Sequence, residues 1–458
     1  MLLCALVLRL VFAFLTAGTF DPDEFVVVAL SRAVVHGAIP YRDIVFFHPP
    51  GMLALFAGLH WLVDWWWPSG RVVTLAIDSM TALFVWRIGK ELLGDTEGLV
   101  AGLVYASSPI ALVSAVRIGP DPVITALGVL GLLLLLTVRS RGGAVGAGLC
   151  LALAVWTKYT AILYLPVYLL ALRSSGLANP NYSAGDGAAG LQIIRATASS
   201  AFCPRARPFL VTWLAATFCL FAPFLFEAHA LFSQTVIWQL THRAQTDLIH
   251  RLGSVSTYWL LLNPLAALAL WRQRRPLWLP FGFCLGALFL LTAQAYYHYF
   301  VVIVPFAALL AAPMVTSLVR RAPRLLAACA LSVSLLWAVD VAYGAPALRL
   351  HVTATPFSSV QQTAAILDRA TQPNEAILTD HFEYALFAHR TLAANYFWNM
   401  SNVVRARSLE HRLPRLAAIV KTKGGRSYPP GFADYLEDRR FPRIQTASTV
   451  IWLIGSRS

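Results

Sequence analysis

Eleven apolar segments follow one another through the first 344 residues of this 458-residue chain, and no soluble fold accommodates them. They run roughly over 1–18, 72–86, 99–116, 123–138, 144–157, 161–172, 209–226, 255–271, 277–293, 300–318 and 325–343. A hydrocarbon core of ~30 Å needs ~20 helical residues to cross it. Lipid offers no partner to a backbone N–H, so each segment must close its own hydrogen bonds as a helix. The chain is 58% hydrophobic and only 13% charged, where a soluble domain carries about 25% charge. Its mean hydropathy is +0.64. The expected fold class is therefore mainly α: a polytopic transmembrane helical bundle of about eleven spans. The first segment lacks a basic leader and is read as a span rather than a signal peptide. Arg9 within it costs about 2.5–3.5 kcal/mol on insertion, so it is expected to face protein or water.

The net charge of +14 would suggest nucleic acid in a soluble protein. Its distribution argues otherwise. With a cytoplasmic N-terminus, the inside connections hold Arg87, Lys90, Arg139, Arg141, Arg173, Arg195, Arg205, Arg207, Arg272, Arg274, Arg275, Arg320, Arg321 and Arg324. The outside connections hold half as many: Arg32, Arg42, Arg71, Arg117, Lys158, Arg243 and Arg251. That bias is an orientation signal, and it leaves no case for a nucleic-acid partner. The expectation is a multi-pass plasma-membrane protein with its N-terminus in the cytoplasm. The six cysteines show no CxxC spacing, so neither a disulfide framework nor a zinc site follows.

Two domains are expected. Residues 1–344 form the membrane domain, with a first external loop over 19–71 and a Gly-rich cytoplasmic loop over 174–208 that is expected to be flexible. Residues 345–458 carry 22 charged residues, a globular mix, and read as a small extracytoplasmic α/β domain. There the periodicity predicts a helix over 360–370, strands over 375–379, 416–421 and 449–454, and a helix over 431–438.

The chosen orientation gathers the ionisable residues of the apolar region near the outer face, and clustering at one membrane depth reads as a functional site. The first loop carries Asp21, Asp23 and Glu24 within four residues. An apolar run, VVVALSRAVV, follows and is expected to hold their helix against the bilayer surface. Asp23 and Glu24, being adjacent, point to different faces of a helix, so one can face a cavity as general base while the other faces a basic partner or a loop. Arg42 and His48 follow, with Pro49 and Pro50 fixing the backbone after the histidine. Asp121, between Pro120 and Pro122, is either an exposed functional acid or a helix cap. Arg117 precedes it by four residues. Lys158 stands at a break between apolar segments, where it meets an anion or snorkels to the interface. His298 sits among tyrosines that an interfacial belt also explains.

Taken together, the acidic pair after one span, the Pro-Pro element, the Arg117–Asp121 spacing, Lys158 before the sixth span and the Tyr297-His298-Tyr299-Phe300 run before Pro305 resemble the GT-C superfamily of integral membrane glycosyltransferases. Its protein O-mannosyltransferases and lipid A aminoarabinose transferases are the most similar branches. The resemblance implies inverting transfer of a sugar from a polyprenyl-phosphate carrier to an extracytoplasmic glycan, lipid or protein. It implies Asp23 as base, Asp121 as the acid that organises acceptor or metal, and a donor set drawn from Asp21, Arg42, His48, Arg117, Lys158 and His298. Where those branches carry Lys before the Pro-Pro pair, this chain has His48, which leaves Lys158 or Arg117 as alternative phosphate ligands. Mg²⁺ or Mn²⁺ at Asp23 and Asp121 is one way to neutralise the leaving phosphate. No phosphate loop for a nucleotide is present. The competing reading is a lipid or sugar-carrier transporter or flippase, which needs ionisable groups in mid-membrane; Asp78 is the acid that fits it. A non-catalytic subunit is the third reading, and it gives the first-loop acids no task.

Overall fold

The computed structural model describes residues 1–17, 19–63, 67–175, 204–237, 297–321, 355–373, 375–379, 382–392, 416–422, 443–445 and 449–453. The spans expected over 255–271, 277–293 and 325–343, most of the 174–208 loop and the helix expected over 431–438 lie outside the described residues. The chain is mainly helical and falls into two compact units. One comprises Met1–Leu15, Phe47–Met52 and Pro68–Leu350; the other comprises Thr16–Phe46, Leu53–Trp67 and His351–Ser458.

In the first unit, α1 (Leu2–Leu15), α4 (Trp67–Leu93), α5 (Asp95–Ala106), α6 (Pro109–Ala115), α7 (Pro120–Thr137), α8 (Arg141–Thr157), α9 (Tyr164–Ser175), α10 (Ala206–Phe221) and α12 (Val304–Arg321) bury a shared hydrophobic core, and α11 (Ala228–Phe232) follows α10. Among the described residues Trp67–Leu93, Pro120–Thr137, Ala206–Ile237 and Val304–Arg321 are long and apolar enough to cross a membrane, and the bent pair α5–α6 meets the same test when taken together. This is a multi-pass membrane protein. The stretch expected as a span over 99–116 consists of two helices, α5 and α6, bent by 58°. Pro109 causes the bend, because proline lacks an N–H and disfavours helix in the residue before it.

Glycine sets the spacing around α8. A methyl on Gly148 would come within 2.7 Å of the Phe209 carbonyl, and one on Gly143 would overlap the Val138 carbonyl at 2.1 Å. Such close approach of backbones is how helices pack where lipid removes the hydrophobic drive. On the next interface Tyr164 and Tyr168 of α9 lie over Gly128 and Gly131 of α7, and the Tyr168 hydroxyl donates to the Gly128 carbonyl at 2.6 Å.

The second unit holds a five-stranded mixed sheet of order β4-β3-β5-β7-β6, from β3 (Ala376–Thr379), β4 (Thr391–Leu392), β5 (Leu416–Thr422), β6 (Arg443–Gln445) and β7 (Thr449–Leu453). β3 runs parallel to β4 and β5, while β7 is antiparallel to β5 and β6. The alternation in the tail had marked three of these strands. The same unit contains β1 (Thr19–Phe20), paired antiparallel with β2 (Thr355–Pro356), and α2 (Pro22–Val35), packed on α14 (Phe382–Phe387). α13 (Phe357–Ala370) packs on α14 as well.

The apolar run of α2 was expected to lie on the bilayer surface. Instead Phe25, Val28 and Leu30 are wholly buried within this unit, with Phe25 ringed by Phe20, Trp67 and Phe387 at centroid distances of 5.0–5.5 Å. Aromatic packing of this kind outweighs what a lipid surface offers the same side chains. The expected first loop also contains α3 (Gly51–Val63), an apolar helix of 13 residues, too short to register as a span.

Candidate active site

Each unit contributes one cluster of the residues singled out by sequence. In the second unit they sit at the start of α2. Asp21 is its N-cap in extended backbone, and its Oδ1 accepts the Asp23 N–H at 3.1 Å. Glu24 reaches back so that Oε1 accepts the Asp21 N–H at 2.9 Å. The two form a reciprocal capping box, with Pro22 at the first helical position. The other oxygen of Glu24 accepts the Trp67 indole N–H at 3.1 Å, and Glu24 is buried. Asp23 is exposed at the first turn, where the helix dipole favours negative charge. The two adjacent acids thus face different surroundings: Glu24 ties the helix end down, and Asp23 meets solvent. Sequence reasoning missed Trp67; a tryptophan in a run of three carries no signal of an indole donor aimed 43 residues back.

Arg42 lies in the turn over 39–44 of the same unit. Its Nε and Nη2 donate to the two oxygens of Asp43 at 3.0 and 2.8 Å, and the second oxygen also accepts the Ile39 N–H at 2.9 Å. The Arg42 guanidinium, followed by that backbone bond, holds the Asp43 carboxyl below the usual carboxylate range. Tyr41 next to them has φ of 71°, a left-handed conformation unfavourable for a side chain of this size. Two backbone bonds, Tyr41 N–H to the Ile44 carbonyl at 2.8 Å and Asp43 N–H to the Ile39 carbonyl at 2.9 Å, hold it there.

In the first unit the structure joins two residues that sequence had left apart. Lys158 Nζ lies 2.7 Å from Asp121 Oδ1, with the side chains only 4% and 6% exposed. Asp121 stands in the first turn of α7, started by Pro120 after extended Gly119. Lys158 is the extended residue between α8 and the 3₁₀ turn Tyr159–Leu163. Both therefore project from helix ends. The ammonium also lies 4.0 Å from the centroid of the Tyr299 ring, a cation–π contact strengthened by the loss of water. Arg117 is partly exposed, just past α6, with its N–H on the Ser114 carbonyl. His48 is partly buried in the segment 47–52 of this unit. His298 falls in the 3₁₀ turn Tyr297–Val302 beside Tyr299, and its side chain lies outside the described residues.

A second buried pair occupies the same unit. Arg9 Nε donates to Asp78 Oδ2 at 2.7 Å, and its Nη2 faces the same oxygen. Nη1 donates to the Ala5 and Ala106 carbonyls, and the Tyr105 hydroxyl donates to Asp78 Oδ1 at 2.5 Å. Both charged side chains are fully buried. Arg9 faces protein, as expected, and Asp78, the acid that favoured transport, is bonded by an arginine and a tyrosine.

The residues present do not make a divalent-cation site at Asp121, whose carboxylate already meets an ammonium. Among the described residues no group of three or more His, Cys, Asp or Glu is placed to hold an ion.

Residues 47–193, which include His48, Arg117, Asp121 and Lys158, match the family model of dolichyl-phosphate-mannose-protein mannosyltransferases. No curated protein sequence matches the chain. Among solved structures it is similar to ArnT from Cupriavidus metallidurans in the apo state, with a TM-score of 0.66 and 15% identity over 98% of this chain and 97% of that one. It is similar also to ArnT from the same organism bound to undecaprenyl phosphate, with a TM-score of 0.64 and 14% identity over 99% and 97%. The resemblance to the GT-C superfamily read from the motifs therefore stands on two further grounds, a protein-mannosyltransferase family match across the Lys158–Asp121 region and the ArnT fold across nearly the whole chain.

Proposed function

We propose that this protein is an inverting glycosyltransferase that moves a sugar from a polyprenyl-phosphate carrier to a hydroxyl of a glycan, lipid or protein outside the cytoplasm. The observation that carries the reading is the buried Lys158–Asp121 pair. It is an ammonium fixed at a helix junction, largely out of water, where its field acts on a nearby anion with little screening. The likeness to a fold solved with undecaprenyl phosphate supports the choice of anion.

In this reading the acceptor oxygen attacks the anomeric carbon of the sugar from the face opposite the carrier. The bond from that carbon to the phosphate oxygen breaks, the electron pair leaves with the carrier phosphate, and the configuration inverts. Asp23 takes the acceptor proton as general base, held in place by the Asp21–Glu24 cap. Lys158 steadies the charge growing on the phosphate, Asp121 fixes the ammonium, and His48 and Arg117 complete the phosphate contacts. In the same reading the chain crosses the membrane eleven times from a cytoplasmic N-terminus, with these groups and residues 345–458 on the extracytoplasmic side. The apolar helices supply the groove for the prenyl chain.

The test is transfer of radiolabelled sugar from polyprenyl-phosphate donors in membranes containing wild-type protein, Asp23→Asn or Lys158→Gln, each with magnesium, manganese or chelator. Label reaching an acceptor in wild type and in neither variant is the expected result. Transfer undiminished in Asp23→Asn removes the assigned base, and carrier uptake into liposomes without transfer by any donor makes the transporter reading the better one.

A further inference from the structure

Gly51 follows the Pro49–Pro50 pair and opens α3. A Cβ placed on it would lie 2.7 Å from the Trp156 carbonyl oxygen, 2.8 Å from the carbonyl carbon and 2.9 Å from Thr157 Cα. All three are backbone atoms. A flexible side chain would swing aside from such a contact; the closing turn of a packed helix cannot. Trp156 and Thr157 are the last two residues of α8, and Lys158 comes next. The His48-Pro49-Pro50-Gly51 segment is thus seated, backbone on backbone, on the helix end that delivers Lys158. The two prolines restrict the torsions between Gly51 and His48, so the seat at Gly51 also fixes where His48 stands relative to Lys158. The segments carrying two residues 110 positions apart in the chain thereby meet at a backbone contact.

We infer that Gly51 is a positioning residue: its missing side chain lets His48 and Lys158 form one wall against the phosphate of a lipid carrier. The inference rests on the donor class proposed above. A methyl group at Gly51 displaces the segment by a good fraction of an ångström, and displacements of that order cost about 10- to 100-fold where charge must be met in a fixed geometry. Elsewhere in the same helix Gly58 supplies the control, because a Cβ there meets nothing within 4 Å.

The experiment measures the affinity of full-length, detergent-solubilised protein for undecaprenyl phosphate and, separately, for undecaprenol, the same chain without phosphate. Gly51→Ala is expected to weaken undecaprenyl phosphate at least five-fold while undecaprenol changes less than two-fold; Gly58→Ala leaves both as in wild type. A loss under five-fold for the phosphate, or an equal loss for both lipids, overturns the positioning role and leaves the donor class standing. Wild-type protein with no preference for the phosphate over the alcohol overturns the donor class and this inference with it. Should Gly51→Ala fail to accumulate, a double-mutant cycle between His48→Gln and Lys158→Gln reads the same wall. Coupling of three-fold or more in undecaprenyl phosphate binding supports it, and smaller coupling overturns it.

Discussion

Two buried aspartate–cation pairs lie within one helical unit and differ in where they sit on their helices. Arg9 and Asp78 project from within α1 and α4; both are wholly buried, and Tyr105 and two backbone carbonyls supply further bonds. Asp121 and Lys158 project from a helix start and a helix end, keep a trace of exposure, and share the ammonium with the face of Tyr299. The first arrangement is closed. Every charge has been matched by groups that do not move, which is what makes a buried ion pair tolerable in the membrane. The second is held by chain breaks, where the backbone is extended and an incoming anion can share the cation. The two pairs are alike in burial and differ in position along their helices, and that difference is the ground for proposing the second as the site.

The comparison breaks first if the closed pair is not a staple. Asp78→Ala leaves a buried guanidinium and is expected to cost about 3–5 kcal/mol, seen as a fall in thermal stability and in recoverable folded protein. Asp78→Ala with wild-type stability would end that reading. Lys158→Gln is expected to cost less stability, about 1–3 kcal/mol, but to lower transfer on the order of 100-fold or more. Paired apolar substitutions sharpen the contrast. Arg9→Leu/Asp78→Leu is expected to restore both stability and transfer, because removing both charges is often neutral or stabilising. Lys158→Leu/Asp121→Leu is expected to restore stability alone, and recovered transfer in that variant would strip the second pair of its catalytic assignment.

At the start of α2 the expected effects on stability are smaller. Glu24→Gln weakens the cap and the bond to Trp67 and is expected to cost about 1 kcal/mol. Asp23→Asn is expected to leave stability within about 0.5 kcal/mol while lowering transfer about 100- to 10,000-fold; loss of both together would make Asp23 a structural residue. Smallest of all is the exposed counterpart of the buried pairs, Arg42–Asp43, with side chains 53% and 38% exposed. Surface pairs contribute little. Because Asp43 titrates lower in the folded chain than unfolded, its contribution is whole above about pH 4 and fades as the pH falls through the lowered folded value. Melting curves of wild type and Asp43→Asn are expected to coincide when wild type is far below that window and to differ slightly above it.

What the residues disclosed in advance was whatever depends on neighbours along the chain. Hydropathy marked the four described helices long and apolar enough to cross a membrane, and alternation marked β3, β5 and β7. The Ser107-Ser108-Pro109 break was equally open to inspection, and the apolar continuity around it masked it. What stayed hidden depends on distance. Nothing local joins Lys158 to Asp121, 37 positions away, or Arg9 to Asp78, 69 away; each looked like a lone charge until its partner was placed. α2 is instructive in a different way. Its apolar run was legible, its destination was not, because a buried protein interface and a lipid surface select the same side chains.

The pairing of β1 with β2 sets a schedule. Phe20 emerges from the ribosome more than 330 residues before Thr355, its strand partner, and α2 emerges still further ahead of α14. At about 5–20 residues per second the delay is roughly 17–67 s. Through that interval the segment bearing Asp23 has been made, while Phe387, one of the three rings around Phe25, has not. The acid loop is thus among the first parts synthesised and among the last to acquire its packing. A chain released before Thr355 leaves β1 without its strand and α2 without α14, so the packing of the helix that bears Asp23 waits on synthesis of the tail.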